Sequence, residues 1–190
     1  MNLRELVLKN RSYRRFYQNV AIDNEILRQL VDLGRLSGSA ANLQPLKYMF
    51  SSESEMNASI FPFLRWAGYL KNWDGPAEGE RPSGYIIILG DQNITNNFGC
   101  DHGIVAQSIL LGATELGLGG CMIGSIQREG LRRELNIPAH LEILLVIALG
   151  KPKESVVIEV VGPEGDVKYW RDENDIHHVP KRSLDEIIIS

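Results

Sequence analysis

Cysteine, histidine and long apolar runs are all scarce in this chain of 190 residues, and each shortage excludes a class of protein. Two cysteines cannot build a disulfide scaffold or a four-cysteine zinc site. Cys100 and Cys121 lie too far apart for any short metal motif, and their small or apolar neighbours (Gly99, Gly120, Met122) predict reduced, packed thiols. The four histidines are scattered. His102 reads as part of a helix start, His140 as a turn residue, and His177 and His178 as an exposed tail. No P-loop, H-E-x-x-H or G-x-S-x-G pattern occurs. The most apolar run, Ile143 to Leu149, is far shorter than the roughly 20 residues that cross a bilayer. The opening MNLRELVLKNRSYRRFY has no apolar core of signal-peptide length, so a cytoplasmic protein is expected. Basic residues are outnumbered 20 to 24, for a formal charge of −4, which argues against broad nucleic-acid binding but leaves room for a local cationic pocket. A chain without a nucleophile, metal cluster or acid–base pair either binds something or borrows its chemistry from a cofactor.

What is present describes an ordinary globular domain. Apolar residues make up 44% and charged residues 23%, which excludes disorder, collagen and coiled coil as global descriptions. A short opening helix carries Leu3, Leu6, Val7 and Leu8 and must stop near Asn10-Arg11-Ser12. A second helix is capped by Asp23, favoured by Glu25 near its positive end, and lined by Ile26, Leu27, Leu30, Val31 and Leu33. Strands are expected at Lys47 to Ser51, Tyr85 to Leu89, Cys121 to Ile123 and Leu141 to Leu149, with a short helix at Leu131 to Leu135. Residues 61–83 hold Phe61, Phe63, Trp66, Tyr69 and Trp73 ahead of a Gly/Pro/Glu-rich stretch, the pattern of a functional flap or a disordered segment. Between Gly103 and Thr114 there is no charge at all. A helix apolar on every side is buried on every side, so this one is either very central or half-covered by a second subunit. From Val161 the tail is polar, ending in apolar Ile187 to Ile189. The expectation is one α+β domain spanning 1–190.

Three clusters can carry chemistry. Arg11, Ser12 and Arg14 place two guanidiniums and a hydroxyl within four residues, a set able to surround a phosphate, although short basic runs are also common surface features. Ser39-Ala40-Ala41-Asn42-Leu43-Gln44-Pro45 combines small residues that admit a ligand to the backbone with two side-chain amides; an ordinary helix-to-strand connection fits equally well. In Gly117-Leu118-Gly119-Gly120-Cys121-Met122-Ile123-Gly124 the glycines lie between helix and strand, so no dinucleotide fingerprint is completed. Gly117 to Gly120 read as a tight turn, and Gly124 can bring a backbone N–H beside a flat ligand.

Taken in order, these segments resemble the nitroreductase family of FMN-dependent flavoproteins. The resemblance is carried by Arg11-Ser12-x-Arg14-x-Phe16, Ser39-Ala40-x-Asn42-x-Gln44-Pro45 and Leu116-Gly117-Leu118-Gly119-x-Cys121-x-Ile123-Gly124. Leu135-Asn136-Ile137-Pro138, Ala148-Leu149-Gly150-Lys151-Pro152 and Lys181-Arg182-Ser183-Leu184-Asp185-Glu186 complete it, so it spans nearly the whole chain. It implies a nitroreductase-like fold, a central, mostly antiparallel sheet flanked by helices, in a homodimer with FMN at the interface. Residues 161–190 would then pack on the partner subunit, and 61–83 would form a flap over the substrate pocket.

The family also implies roles. Arg11, Ser12, Lys181 and Arg182 would hold the flavin phosphate. Arg14 would sit near the N1/C2=O edge, where negative charge collects on reduction. Gly124 would direct its N–H toward N5, with Met122 and Ile123 packing on the ring, and Ser39, Ala40, Asn42 and Gln44 would arrive from the partner. No side chain is implied to be catalytic in itself. NAD(P)H would deliver hydride to the flavin, and a flat electron-poor acceptor such as a nitroaromatic or quinone would collect it. A flavin-dependent dehalogenase or dehydrogenase on the same fold, or a non-catalytic FMN-binding protein, stand as alternatives. Two departures stand out: Asn10 replaces a frequent second basic residue, and Leu46 replaces a frequent tryptophan after Gln-Pro.

Overall fold

A computed structural model describes residues 1–189. Helix α1 (Leu3–Lys9) is closed by a capping box between Asn2 and Glu5 and ends at Asn10. Helix α2 (Asn24–Arg35) begins at Asp23, whose side chain accepts from the Glu25 N–H, as its sequence predicts. Strand β1 (Leu46–Ser51) follows, then α3 (Ser54–Ile60), β2 (Gly84–Asp91) and α4 (Asp101–Glu115). The chain continues through β3 (Gly119–Ile123), α5 (Arg128–Glu134) and β4 (Leu141–Gly150). It closes with β5 (Val156–Val160), β6 (Trp170–Arg171), β7 (His177–Lys181) and α6 (Leu184–Ile187).

The main sheet has the order β1-β2-β4-β3, with every neighbouring pair antiparallel. All eight residues of β2 are buried, which explains its unbroken apolar run: helices cover both faces. Alternate residues feed two cores. Ile86, Ile88, Ile147 and Leu149 pack with Leu27 and Leu30 of α2 and Ile109 of α4. Tyr85, Ile87, Val146 and Ala148 face Ile60, Trp66 and Leu131 on the other side. Each fully buried isoleucine or leucine contributes roughly 1.5–3 kcal/mol, so these two layers hold the sheet rigid beneath everything described below.

Several expectations need correcting. Helix α3 was not foreseen, because Ser54-Glu55-Met56-Asn57 is a weak helical sequence; buried Ile60 and the bond from Asn57 Nδ2 to the Ser83 carbonyl (2.9 Å) hold it in place. Gly119 and Gly120 belong to β3 rather than to a turn. A Cβ on Gly120 would sit 2.3 Å from the Ala148 carbonyl oxygen, so the close approach of β3 to β4 requires glycine there. Cys100 is exposed, not packed, whereas Cys121 is buried as expected. Of the two readings of helix α4, the very central one does not hold: the helix opens a stripe through Ile104, Gln107 and Glu115.

The polar tail is the largest surprise. It folds into a second sheet, β5-β7-β6, in which β5 and β7 run parallel and β6 pairs antiparallel with β7. His177 is consequently buried, not part of an exposed tail. Polar strands in this ribbon are held by specific contacts. Trp170 stacks on His178 at 4.0 Å between centroids, and Arg171 lies over Trp73 at 4.8 Å.

Candidate functional site

Residues 10–16 form an extended strip laid along β3. The Tyr13 N–H donates to the Gly120 carbonyl (3.0 Å), and Phe16 is fully buried behind it. Glu154 fixes the middle of the strip. Its buried carboxylate accepts from the Arg14 and Arg15 N–H groups and from Arg171 Nη2 (2.9 Å). Arg15 turns away from this strip to Glu80 and Asp175, leaving Arg11, Ser12 and Arg14 to face a cavity.

That cavity, about 400 Å³, is lined by Arg11, Ser12, Arg14, Met122 and Lys181 together with Asn10, Gln107, Tyr169, His177 and Val179. Three cations and no carboxylate line it, in a chain whose net charge is −4. Arg11 Nη2 is held by the Val7 carbonyl, but its Nε is buried without a partner, and so is His177 Nδ1. An orphaned buried donor is costly unless something accepts from it, so the wall has unused capacity for an acceptor. Burial draws the Arg11 pKa down from its ordinary value, an effect that neighbouring Tyr13 offsets only in part.

A second cavity, about 260 Å³, opens on the other side of Met122 and is lined by Arg14, Trp66, Cys121, Met122, Ile123, Gly124 and Tyr169, among others. Arg14, Met122 and Tyr169 border both spaces. Above Gly124 a Cβ would meet no atom within 4 Å, so this backbone lies open to the cavity. Trp66 Nε1 is a further buried donor without a partner in this wall. Burial pushes the Cys121 thiol up to about 12, so it stays protonated and is no nucleophile. Of the aromatic segment, Arg65 to Gly68 contribute to this wall, while Phe61, Phe63 and Trp73 pack against the core.

The sequence candidates thus divide. Arg11, Ser12, Arg14, Met122, Ile123, Gly124 and Lys181 are brought together around the paired cavities. Arg182 is exposed and pairs with Glu186, outside either lining. Ser39 and Gln44 border a separate cavity of about 140 Å³, and exposed Ala40 and Asn42 stand on the same loop. There the Ser39 hydroxyl donates to Asp101 (2.7 Å) and accepts from the Gln44 N–H (2.9 Å). His177 and Tyr169 are cavity residues that the sequence did not single out. Each lies more than 150 residues from Arg14, in a polar tail with no local motif.

Comparison with known proteins agrees with this architecture. Residues 81–151 match the nitroreductase family profile. A protein of Methanothermobacter thermautotrophicus, provisionally named as an NADH dehydrogenase/NAD(P)H nitroreductase, is 29% identical over 162 residues, covering 82% of this chain and 80% of its own. The NADPH-flavin oxidoreductase of Vibrio harveyi is 24% identical, over 81% of this chain and 67% of its own. Among solved structures, a nitroreductase family protein from Streptococcus pneumoniae superposes with a TM-score of 0.72 over the full length of both chains at 16% identity. An FMN-dependent nitroreductase from Clostridium difficile gives 0.65 at 24% identity, over 79% and 87% of the two chains. The sequence profile over residues 81–151, the relatives and the fold are thus all similar to those of the nitroreductase family.

Proposed function

We propose that this protein is an FMN-dependent oxidoreductase that takes hydride from NAD(P)H and passes it to a flat, electron-poor acceptor such as a nitroaromatic or quinone. The observation that carries this reading is the cavity pair: a cation-lined, carboxylate-free space that shares Arg14, Met122 and Tyr169 with a second space beside the open backbone of Gly124. The residues fit the cofactor. Arg11, Ser12 and Lys181 supply the charge and donors a phosphate demands. Gly124 leaves room where any side chain would intrude, and its relatives' names agree, one being FMN-dependent and another an NADPH-flavin oxidoreductase.

FMN held by Arg11, Ser12 and Lys181 would supply the redox chemistry, the transfer of hydride between NAD(P)H and the acceptor. The chain's own residues bind and polarise. Arg14 holds a fixed positive charge at the seam of the two cavities, where it stabilises negative charge developing on the flat occupant. Met122 and Ile123 provide an apolar floor, and Arg65 to Gly68 form part of the wall. Cys121, protonated and buried, takes no covalent part.

We further propose a homodimer, in which Ser39, Ala40, Asn42 and Gln44 and the terminal residues 161–190 meet the partner. Helices α1 and α2 both pack on α4 yet leave Leu3, Val7, Leu8, Ile104 and Leu116 exposed, apolar side chains that a second copy would cover. Among the described residues no helix is long and apolar enough to cross a membrane.

The visible spectrum of the purified protein under nitrogen, before and after NADH or NADPH, tests the reading. Flavin bands that bleach support it, and no flavin uptake after soaking with FMN refutes it. Replacing both Arg11 and Arg14 with alanine should leave a folded protein that purifies colourless; unchanged flavin content would overturn their assignment.

A further inference from the structure

His177 is the least expected member of the anion cavity. It is 1% exposed, sits at the start of β7, and borders the space that Arg11, Arg14 and Lys181 line. Its Nε2 lies 3.3 Å from Arg14 Nη1. Arginine carries five donors and no acceptor, so this contact is a hydrogen bond only if Nε2 is unprotonated and accepts. The ring proton then resides on Nδ1, which is buried and has no partner in the protein. Around the ring stand Arg14, Arg171 and His178, with Tyr169 packed at 5.2 Å between centroids. Burial, reinforced by these neighbouring groups, keeps the imidazole neutral at ordinary pH, with its pKa lowered to about 4.

Arg14 itself is clamped from three sides. Its Nη1 also donates to the Ser12 carbonyl (3.2 Å), and its guanidinium lies over the Tyr169 ring at 4.9 Å. Of these contacts, only those from His177 of β7 and from Tyr169, just before β6, come from the C-terminal part of the chain. A guanidinium on a flexible stem points reliably only where an acceptor orients it, and His177 is the side chain that provides one.

Building on the proposed function, we infer that His177 is a positioning residue: its Nε2 orients the Arg14 guanidinium at the seam of the two cavities while its Nδ1–H is offered to an acceptor oxygen of the occupant. Neutral histidine suits this double duty because it is acceptor and donor at once. A merely space-filling aromatic would supply neither.

The test uses the full chain loaded with FMN, with His177→Phe to keep volume and remove both nitrogens, and His177→Gln to restore an acceptor near Nε2. His177→Phe should weaken FMN binding about tenfold and weaken retention of the reduced form about tenfold more. That second factor corresponds to a fall of about 30 mV in the two-electron midpoint potential. His177→Gln should recover the potential to within a threefold equivalent of wild type. A phenylalanine variant within twofold of wild type in both readouts overturns the inference, as does a glutamine variant no better than phenylalanine. On the flavin-free wild type, imidazole 15N shifts at pH 7 should show protonated Nδ1 and bare Nε2; the opposite tautomer also overturns it. This last measurement stands even if the phenylalanine variant fails to fold. It also separates the two readings: a wild type that binds no flavin defeats the proposed function, while the tautomer still judges the Arg14–His177 contact.

Discussion

The strip at residues 10–16 and the loop at 39–44 are both short polar segments implied by family resemblance to touch the same cofactor, yet they are built in opposite ways. The strip is fastened along its length. Phe16 is fully buried, Tyr13 bonds to β3, and one carboxylate, Glu154, gathers two of its amides and Arg171. The loop is exposed and hangs from Asp101, which accepts from the Ser39 hydroxyl and the Ala40 N–H (3.1 Å). Ala41, Asn42 and Gln44 all hold left-handed backbone, a conformation that costs roughly 1–2 kcal/mol for an ordinary L-residue. A segment whose site is completed within its own chain is rigid beforehand. One that awaits a partner keeps its backbone exposed and strained, which suits the proposal that its contacts lie across a dimer interface.

Three perturbations bear on this contrast. The largest effect should come from Glu154→Ala. It strips the buried charge from Arg171 and leaves the strip's amides unpaired, a loss of about 3–5 kcal/mol in urea unfolding. A cost below about 1 kcal/mol would mean that the strip is held by packing alone. Asp101→Ala should cost about 2 kcal/mol by orphaning the Ser39 hydroxyl and the Ala40 N–H. In this variant the 39–44 loop should become protease-sensitive while the tertiary signals of Trp66 and Trp73 persist. If those signals collapse too, the two regions are not independent.

The gentlest effect is graded and set by pH. In the unfolded chain His177 takes up a proton near 6.5, but in the folded chain only near 4, because burial and neighbouring Arg14 and Arg171 oppose it. Stability should therefore fall as the pH drops from about 6.5 to 4, and His177→Phe should flatten that slope. Below it, Glu80 takes over. The hydrogen bond from Arg15 holds its carboxyl near 2, so its contribution is lost as the pH falls from about 4.5 toward 2, and Glu80→Gln should flatten only that lower window. A single slope untouched by either substitution would discard both assignments.

Much of the sheet was legible because its signals are local. Three consecutive isoleucines announce β2, and Asp23 before Ile26 and Leu27 announces α2. The Arg11-Ser12-x-Arg14 cluster was legible for the same reason, with three polar groups within four residues. Helix α3 was not, since its stability comes from Ile60 and a bond to the Ser83 carbonyl, neither visible as periodicity. The second sheet was hidden more deeply. Strands β6 and β7 carry histidine, tryptophan and arginine in a polar context, and contacts such as Trp170 on His178 and Arg171 on Trp73 hold them. Tyr169 and His177 join the site only through that pairing, so no window of sequence could have nominated them.

The bond between Arg14 and His177 links positions 163 residues apart, and that distance has a kinetic meaning. Loop closure grows more costly with separation, so contacts between the two ends form after local helices and the central sheet have already condensed. The cation-lined chamber should accordingly be among the last features to assemble and the first to fray. A ligand lodged there would act as a staple across nearly the entire length of the chain, slowing its unfolding from both termini at once.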